Sequence, residues 1–107
     1  MRILTGLVIL AALGATEALA QPAKVADMTF VQGARCAGLA SSSKLGATDV
    51  KERTAWLKAQ AWGRDSYIQD KADEAKSDAK READRAGEYA KPKLLAELTG
   101  SCATLKN

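Results

Sequence analysis

The chain has 107 residues, with 16 Lys and Arg against 13 Asp and Glu and no histidine. That length allows one small domain. The net charge of +3 is too mild and too widely spread for a nucleic-acid surface, which needs Lys and Arg clustered on one face. Without histidine the chain lacks the commonest general base and the commonest metal ligand, so Ser–His and Cys–His nucleophile pairs are excluded within it.

The N-terminus follows the three-part grammar of a secretion signal. Met1-Arg2 is a minimal positive region, and Ile3 to Leu13 is an uncharged apolar run interrupted by Thr5 and Gly6. Gly14 to Glu17 break that run, and Ala18-Leu19-Ala20 then places small residues where a signal peptidase reads them, so cleavage is expected between Ala20 and Gln21. A spanning helix needs about 20 apolar residues, and this run is shorter. Residues 1–20 are therefore expected to be a cleavable signal peptide, and residues 21–107 a single small helical domain in a periplasmic or secreted product.

Nearly every segment of that domain favours helix, being rich in Ala, Lys, Glu, Arg and Leu, and no period-two alternation marks a strand. The expected fold is all-α, a bundle of three or four helices. The first helix is expected from about Lys24 to Ser43, with Val25, Met28, Cys36 and Leu39 on one stripe and Phe30, Gly33 and Ala37 on another side. Ser41-Ser42-Ser43 and Gly46 end it.

The second helix is expected from Thr48-Asp49, with Asp49 and Glu52 spaced as a capping box and Val50, Thr54, Leu57, Ala61 and Ile68 as its apolar stripe. The helical pattern continues to Tyr89, roughly 60 Å if straight, which no partner element could match. Gly63 followed by Asp65-Ser66 offers a break, with Ser66 and Gln69 spaced as a second capping box.

From Gln69 to Glu88 there is no large apolar residue. The seam is Ala72, Ala75, Ala79, Ala83 and Ala86, flanked by opposite charges such as Asp73 with Lys76, Lys80 with Asp84, and Arg85 with Glu88. Each such pair supports a helix by about 0.2–0.5 kcal/mol, so the segment can hold itself helical, either packed through its alanines or standing out in solvent. Lys71-Ala72-Asp73-Glu74-Ala75-Lys76-Ser77-Asp78-Ala79-Lys80 resembles the Ala/Lys/Glu-rich repeats of late-embryogenesis-abundant-type stress proteins and of bacterial helical surface proteins. The resemblance is one of composition, and no function is carried over from it. The broader layout, a signal peptide and two distant cysteines on flanking helices, is similar to that of many small bacterial secreted proteins.

The last helix is expected from Pro92, with Leu95, Leu98, Cys102 and Leu105 as its stripe and Gly100 weakening it. Cys36 and Cys102 each have a leucine one turn later, which puts both on apolar stripes. In an oxidising compartment such a pair reads as a disulfide. Closing a loop this long stabilises by roughly 4 kcal/mol in the chain-entropy model, and a thin core needs that help. A redox pair or an intermolecular bridge are the alternatives, though neither cysteine lies in a C-x-x-C motif.

With the thiols bridged, no thiolate metal site remains, and no P-loop or dinucleotide fingerprint is present. No catalytic residue, metal ligand or cofactor is therefore expected. Trp56, Trp62 and Tyr67 form the one aromatic cluster. They are read first as covering the edges of a thin core, with a partner surface as the second reading. The function expected is non-enzymatic binding, in envelope maintenance or stress, through an envelope protein partner or self-association. A structural oligomer joined through the alanine seam is the alternative, followed by a redox carrier or small enzyme.

Overall fold

The computed structural model describes residues 23–107, so the expected signal peptide and the Ala20–Gln21 cleavage point lie outside the described residues. The fold is all-helical: α1 (Asp27–Ala40), α2 (Val50–Ala61), α3 (Ser66–Asp84) and α4 (Lys91–Thr99), with one 3-10 turn at Ser43–Leu45. Among the described residues there is no strand.

α1 is the central element. From Gly33 on, nearly all of it is buried, on more than one face as expected from its composition. Met28, expected on the core stripe, is exposed, and Phe30 is buried in the first turns instead. α3 lies along α1 with its alanine seam inward: Ala72, Ala79, Ala83 and Ala86 are buried, and Ala75 is half-buried. Small side chains on both helices allow the backbones to approach. A Cβ built on Gly38 would stand 2.1 Å from the Lys76 carbonyl oxygen and 3.0 Å from the Ala79 Cβ. The charged helix is therefore packed, and only its outer face is solvated.

Of the ion pairs expected on that face, Lys80–Asp84 forms at 2.8 Å. Asp73 with Lys76 and Arg85 with Glu88 do not form. Arg81 pairs with Asp78 instead, and α3 ends at Asp84, so Glu88 is not one turn further along the same helix as Arg85.

Gly63 breaks the long helical pattern as expected, with a φ of 81°, a left-handed conformation that glycine adopts without steric cost. Asp65 caps α3 by accepting from the Tyr67 N–H at 3.1 Å, and Gln69 donates back to the Arg64 carbonyl at 2.9 Å. The cap is thus Asp65, one residue before the expected Ser66, and the reciprocal Ser66–Gln69 box does not form. The Asp49–Glu52 box is absent, because the Asp49 carboxylate is drawn to Arg53 and Lys106.

α2 is also rotated from its expected stripe. Its buried residues are Arg53, Trp56 and Gln60, while Thr54 is exposed and Val50, Leu57 and Ala61 are half-buried. The Trp56 indole covers Gly33, where an added Cβ would come within 2.2 Å of the ring. Hydropathy alone misplaces this face because two of its three members are polar.

α4 starts one residue before Pro92 and ends at Thr99. The chain then turns, with the Cys102 N–H on the Glu97 carbonyl at 3.0 Å, so Cys102 lies beyond the helix rather than on it. The Cys36–Cys102 disulfide forms nonetheless, across 66 residues and fully buried among Leu39, Leu94 and Leu98.

One ion cluster ties three helices together. Arg35 on α1 grips both Glu97 oxygens on α4, at 2.6 and 2.9 Å, and reaches Glu82 on α3 at 2.9 Å. The hydrogen bonds from Arg35 outweigh burial and hold the Glu97 carboxyl below its ordinary value of 4.5. A carboxyl whose folded pKa is depressed stabilises above its unfolded value and loses that contribution as pH falls through the folded one.

Two outcomes are expected. Gly38→Ala should destabilise by about 1–3 kcal/mol in urea melts through overpacking, whereas the same change at an open helix position stabilises by up to about 1 kcal/mol. Glu97→Gln should lower the urea midpoint at neutral pH, with the gap to wild type closing below pH 4.5 as Glu97 protonates. A gap independent of pH would show that the Arg35–Glu97 pair contributes nothing.

Candidate functional site

The three aromatic candidates part company. Trp56 is 7 % exposed and belongs to the core, whereas Trp62 is 80 % and Tyr67 63 % exposed. The split follows from position. Trp56 is inside α2 and faces α1, while Trp62 terminates α2 and Tyr67 opens α3, on either side of the Gly63 turn.

Below this corner lies a polar clamp that composition did not suggest. Gln60, buried in α2, accepts from the Val25 N–H at 3.0 Å and donates to the Ala23 carbonyl at 3.0 Å. Arg64 donates to the Val25 carbonyl at 2.6 Å, to the Gln60 carbonyl at 2.7 Å and to Asp27 at 2.7 Å. Its guanidinium also lies 4.6 Å from the centre of the Phe30 ring. Charged donors and carbonyl acceptors make the stronger class of hydrogen bond, so the segment before α1 is held against the turn.

The corner is therefore a built surface on a fixed frame. Lys24 stands over Trp62, with its ammonium 5.6 Å from the ring centre, and Lys71 over Tyr67 at 5.7 Å. Exposed Met28 is at the same end of the bundle. An aromatic side chain with a cation on one face keeps its other face and edge for a partner, in a form that loses little entropy on binding.

A second feature sits at the other end of α2. A cleft of about 430 Å³ has Leu45, Leu95 and Leu98 among its lining residues, together with Asp49, Arg53 and Lys106. Arg53 is 2 % exposed. It donates to the Cys102 carbonyl at 3.0 Å and pairs with Asp49 at 3.1 Å, which also accepts from Lys106 at 2.9 Å. Burial would raise the Asp49 pKa, but the bonds from Lys106 and Arg53 prevail and hold it below the usual carboxylate range. Two buried atoms stay without a hydrogen-bond partner, Arg53 Nε and Asp49 Oδ1.

Sequence reasoning passed over this trio because an Arg four residues after an Asp reads as an exposed helix pair. Only the turn that brings Cys102 and Lys106 back makes it a buried one.

Among the described residues no group of three or more His, Cys, Asp or Glu is placed to hold a metal ion, and no helix is long and apolar enough to cross a membrane. No protein-family model, curated protein sequence or solved structure matches this chain.

The two tryptophans should answer differently to truncation. Trp56→Ala should cost about 3–5 kcal/mol, as large core deletions do, and Trp62→Ala should stay within about 0.5 kcal/mol of wild type. Equal losses in urea melts would show that Trp62 is packed rather than presented.

Proposed function

We propose that this chain is an exported, non-enzymatic binding protein of the periplasm or cell exterior, serving envelope maintenance or stress, which captures a protein partner on the Trp62–Tyr67 corner. The observation that carries the binding reading is Trp62. A chain this poor in large apolar residues buries one tryptophan and leaves the other 80 % exposed on a fixed turn. Trp and Tyr are the residues most enriched where binding energy concentrates.

Export is supported by the signal-like N-terminus together with the Cys36–Cys102 bridge, because disulfides persist in oxidising compartments. Both cysteines are fully buried. Thiol exchange needs access to a sulfur, which speaks against a redox carrier. The alternative of an oligomer joined through the alanine seam has little surface left to use, since that seam is occupied by α1 within the same chain.

Expressed from its full gene in a bacterial host, the protein should be recovered outside the cytoplasm with a mass that begins at Gln21 and with no free thiol. A photo-crosslinker at position 62 should give a discrete adduct in intact cells that is lost on Tyr67→Ala without a change in the urea midpoint. A product that stays cytoplasmic with residues 1–20 attached would defeat export. Crosslinking indifferent to Tyr67 would defeat the corner.

A further inference from the structure

We propose that the cleft at the start of α2 is a second binding site, which takes the C-terminal residue of a peptide with an apolar side chain. It goes beyond the aromatic corner and does not depend on it, since the two sites are separated by the length of α2, about 18 Å.

The volume of about 430 Å³ is in the range that holds small ligands, and leucines are part of its lining. The lining also carries two cations, Arg53 and Lys106, against one carboxylate, Asp49. That leaves one positive charge unmatched, which favours an anion.

The unpartnered atoms narrow the chemistry further. Arg53 Nε needs an acceptor and Asp49 Oδ1 needs a donor. A buried polar atom without a protein partner is costly, and a native fold retains one where water or a ligand supplies the bond. A plain carboxylate would serve Arg53 and leave Asp49 unserved. An amine would do the reverse. A peptide's last residue carries both groups on one Cα, a carboxylate for Arg53 and Lys106 and an amide N–H for Asp49. Its side chain is then directed at Leu45, Leu95 and Leu98.

The start of α2 adds to the same preference. The Asp49 side chain makes no capping bond, so the first N–H groups of the helix keep their attraction for negative charge. Lys106 is the movable part. It lies in the turns after α4, half-buried, and its single bond is to Asp49 Oδ2. Both unpartnered atoms are closed to solvent, so binding requires Lys106 to leave Asp49 Oδ2 and the Asp49 and Arg53 side chains to turn toward the cleft.

The test uses the disulfide-bonded protein and three small probes followed by NMR, with the Arg53 Nε–H resonance as reporter. N-acetyl-leucine should bind saturably and shift that resonance. N-acetyl-leucinamide, which lacks the charge, and 4-methylpentanoate, which lacks the amide N–H, should each bind at least about tenfold more weakly. Ala103→Trp, at an exposed position on the cleft lining, should abolish the shift while leaving the urea midpoint in place. Equal binding of 4-methylpentanoate would overturn the peptide assignment in favour of a simple carboxylate site. The absence of saturable binding, or binding that survives Ala103→Trp, would overturn the site itself.

Discussion

The approach of α1 to α3 at Gly38 governs the rest of this fold. With the Lys76 carbonyl where a Cβ would otherwise point, position 38 of α1 has no room for a side chain against α3. Alanine is then the largest residue the seam admits, and the helix that supplies it is free to be charged on every other face. Packing of this kind is dense but shallow. Each buried methyl removes little apolar area from water, at roughly 25 cal/mol per Å², so the seam cannot stabilise the domain alone. The leucines gather instead beside Cys36 and Cys102, where Leu39, Leu94 and Leu98 surround the bridge. A close seam and a covalent staple are complementary answers to the same shortage of large side chains.

Long polar side chains meet a second shortage. The segments at either end of the described chain, residues 23–26 and 100–107, have no regular helix to satisfy their backbone groups. Buried Gln60 and Arg64 bond the first of them, and buried Arg53 bonds the Cys102 carbonyl in the second. α2 thus acts less as an apolar slab than as a rail of hydrogen-bond donors with Trp56 at its centre. Breaking one partner of such a buried bond is costly, because the other is left without water.

Helix content, the break at Gly63 and the existence of an alanine seam were readable from residue type and spacing, since each depends on local propensity or on a strict period, and the Cys36–Cys102 pairing followed from an even cysteine count in a chain with a signal-like N-terminus. The inward face of α2 was not. Arg53 and Gln60 carry no apolar signature, and what buries them is contact with residues more than 30 positions away in the chain. The same holds for the capping expectations. Asp49 is spaced for a box, yet cations brought from Arg53 and Lys106 offer its carboxylate a stronger partner than a backbone N–H. The aromatic cluster was legible as a cluster but not as two populations, because exposure at Trp62 depends on where α2 ends.

These constraints also explain the charged cleft at one end of α2 and the exposed aromatic corner at the other. Midway, Trp56 is pressed on Gly33 and the helix has no freedom to present anything inward. At its last turn the Gly63 conformation directs Trp62 out of the bundle, and the Gln60–Arg64 clamp fixes the neighbouring backbone from which Lys24 reaches it. At its first turn the missing cap and the returning Cys102 segment create a charged pocket floor where a more ordinary helix would have a closed N-terminus. At both places polar side chains hold loops to helix ends, and such preorganised backbone lets a small surface bind without a large entropic cost. In a domain with so little apolar material, the hydrogen bonds that complete the fold also prepare the surfaces it can offer to other molecules.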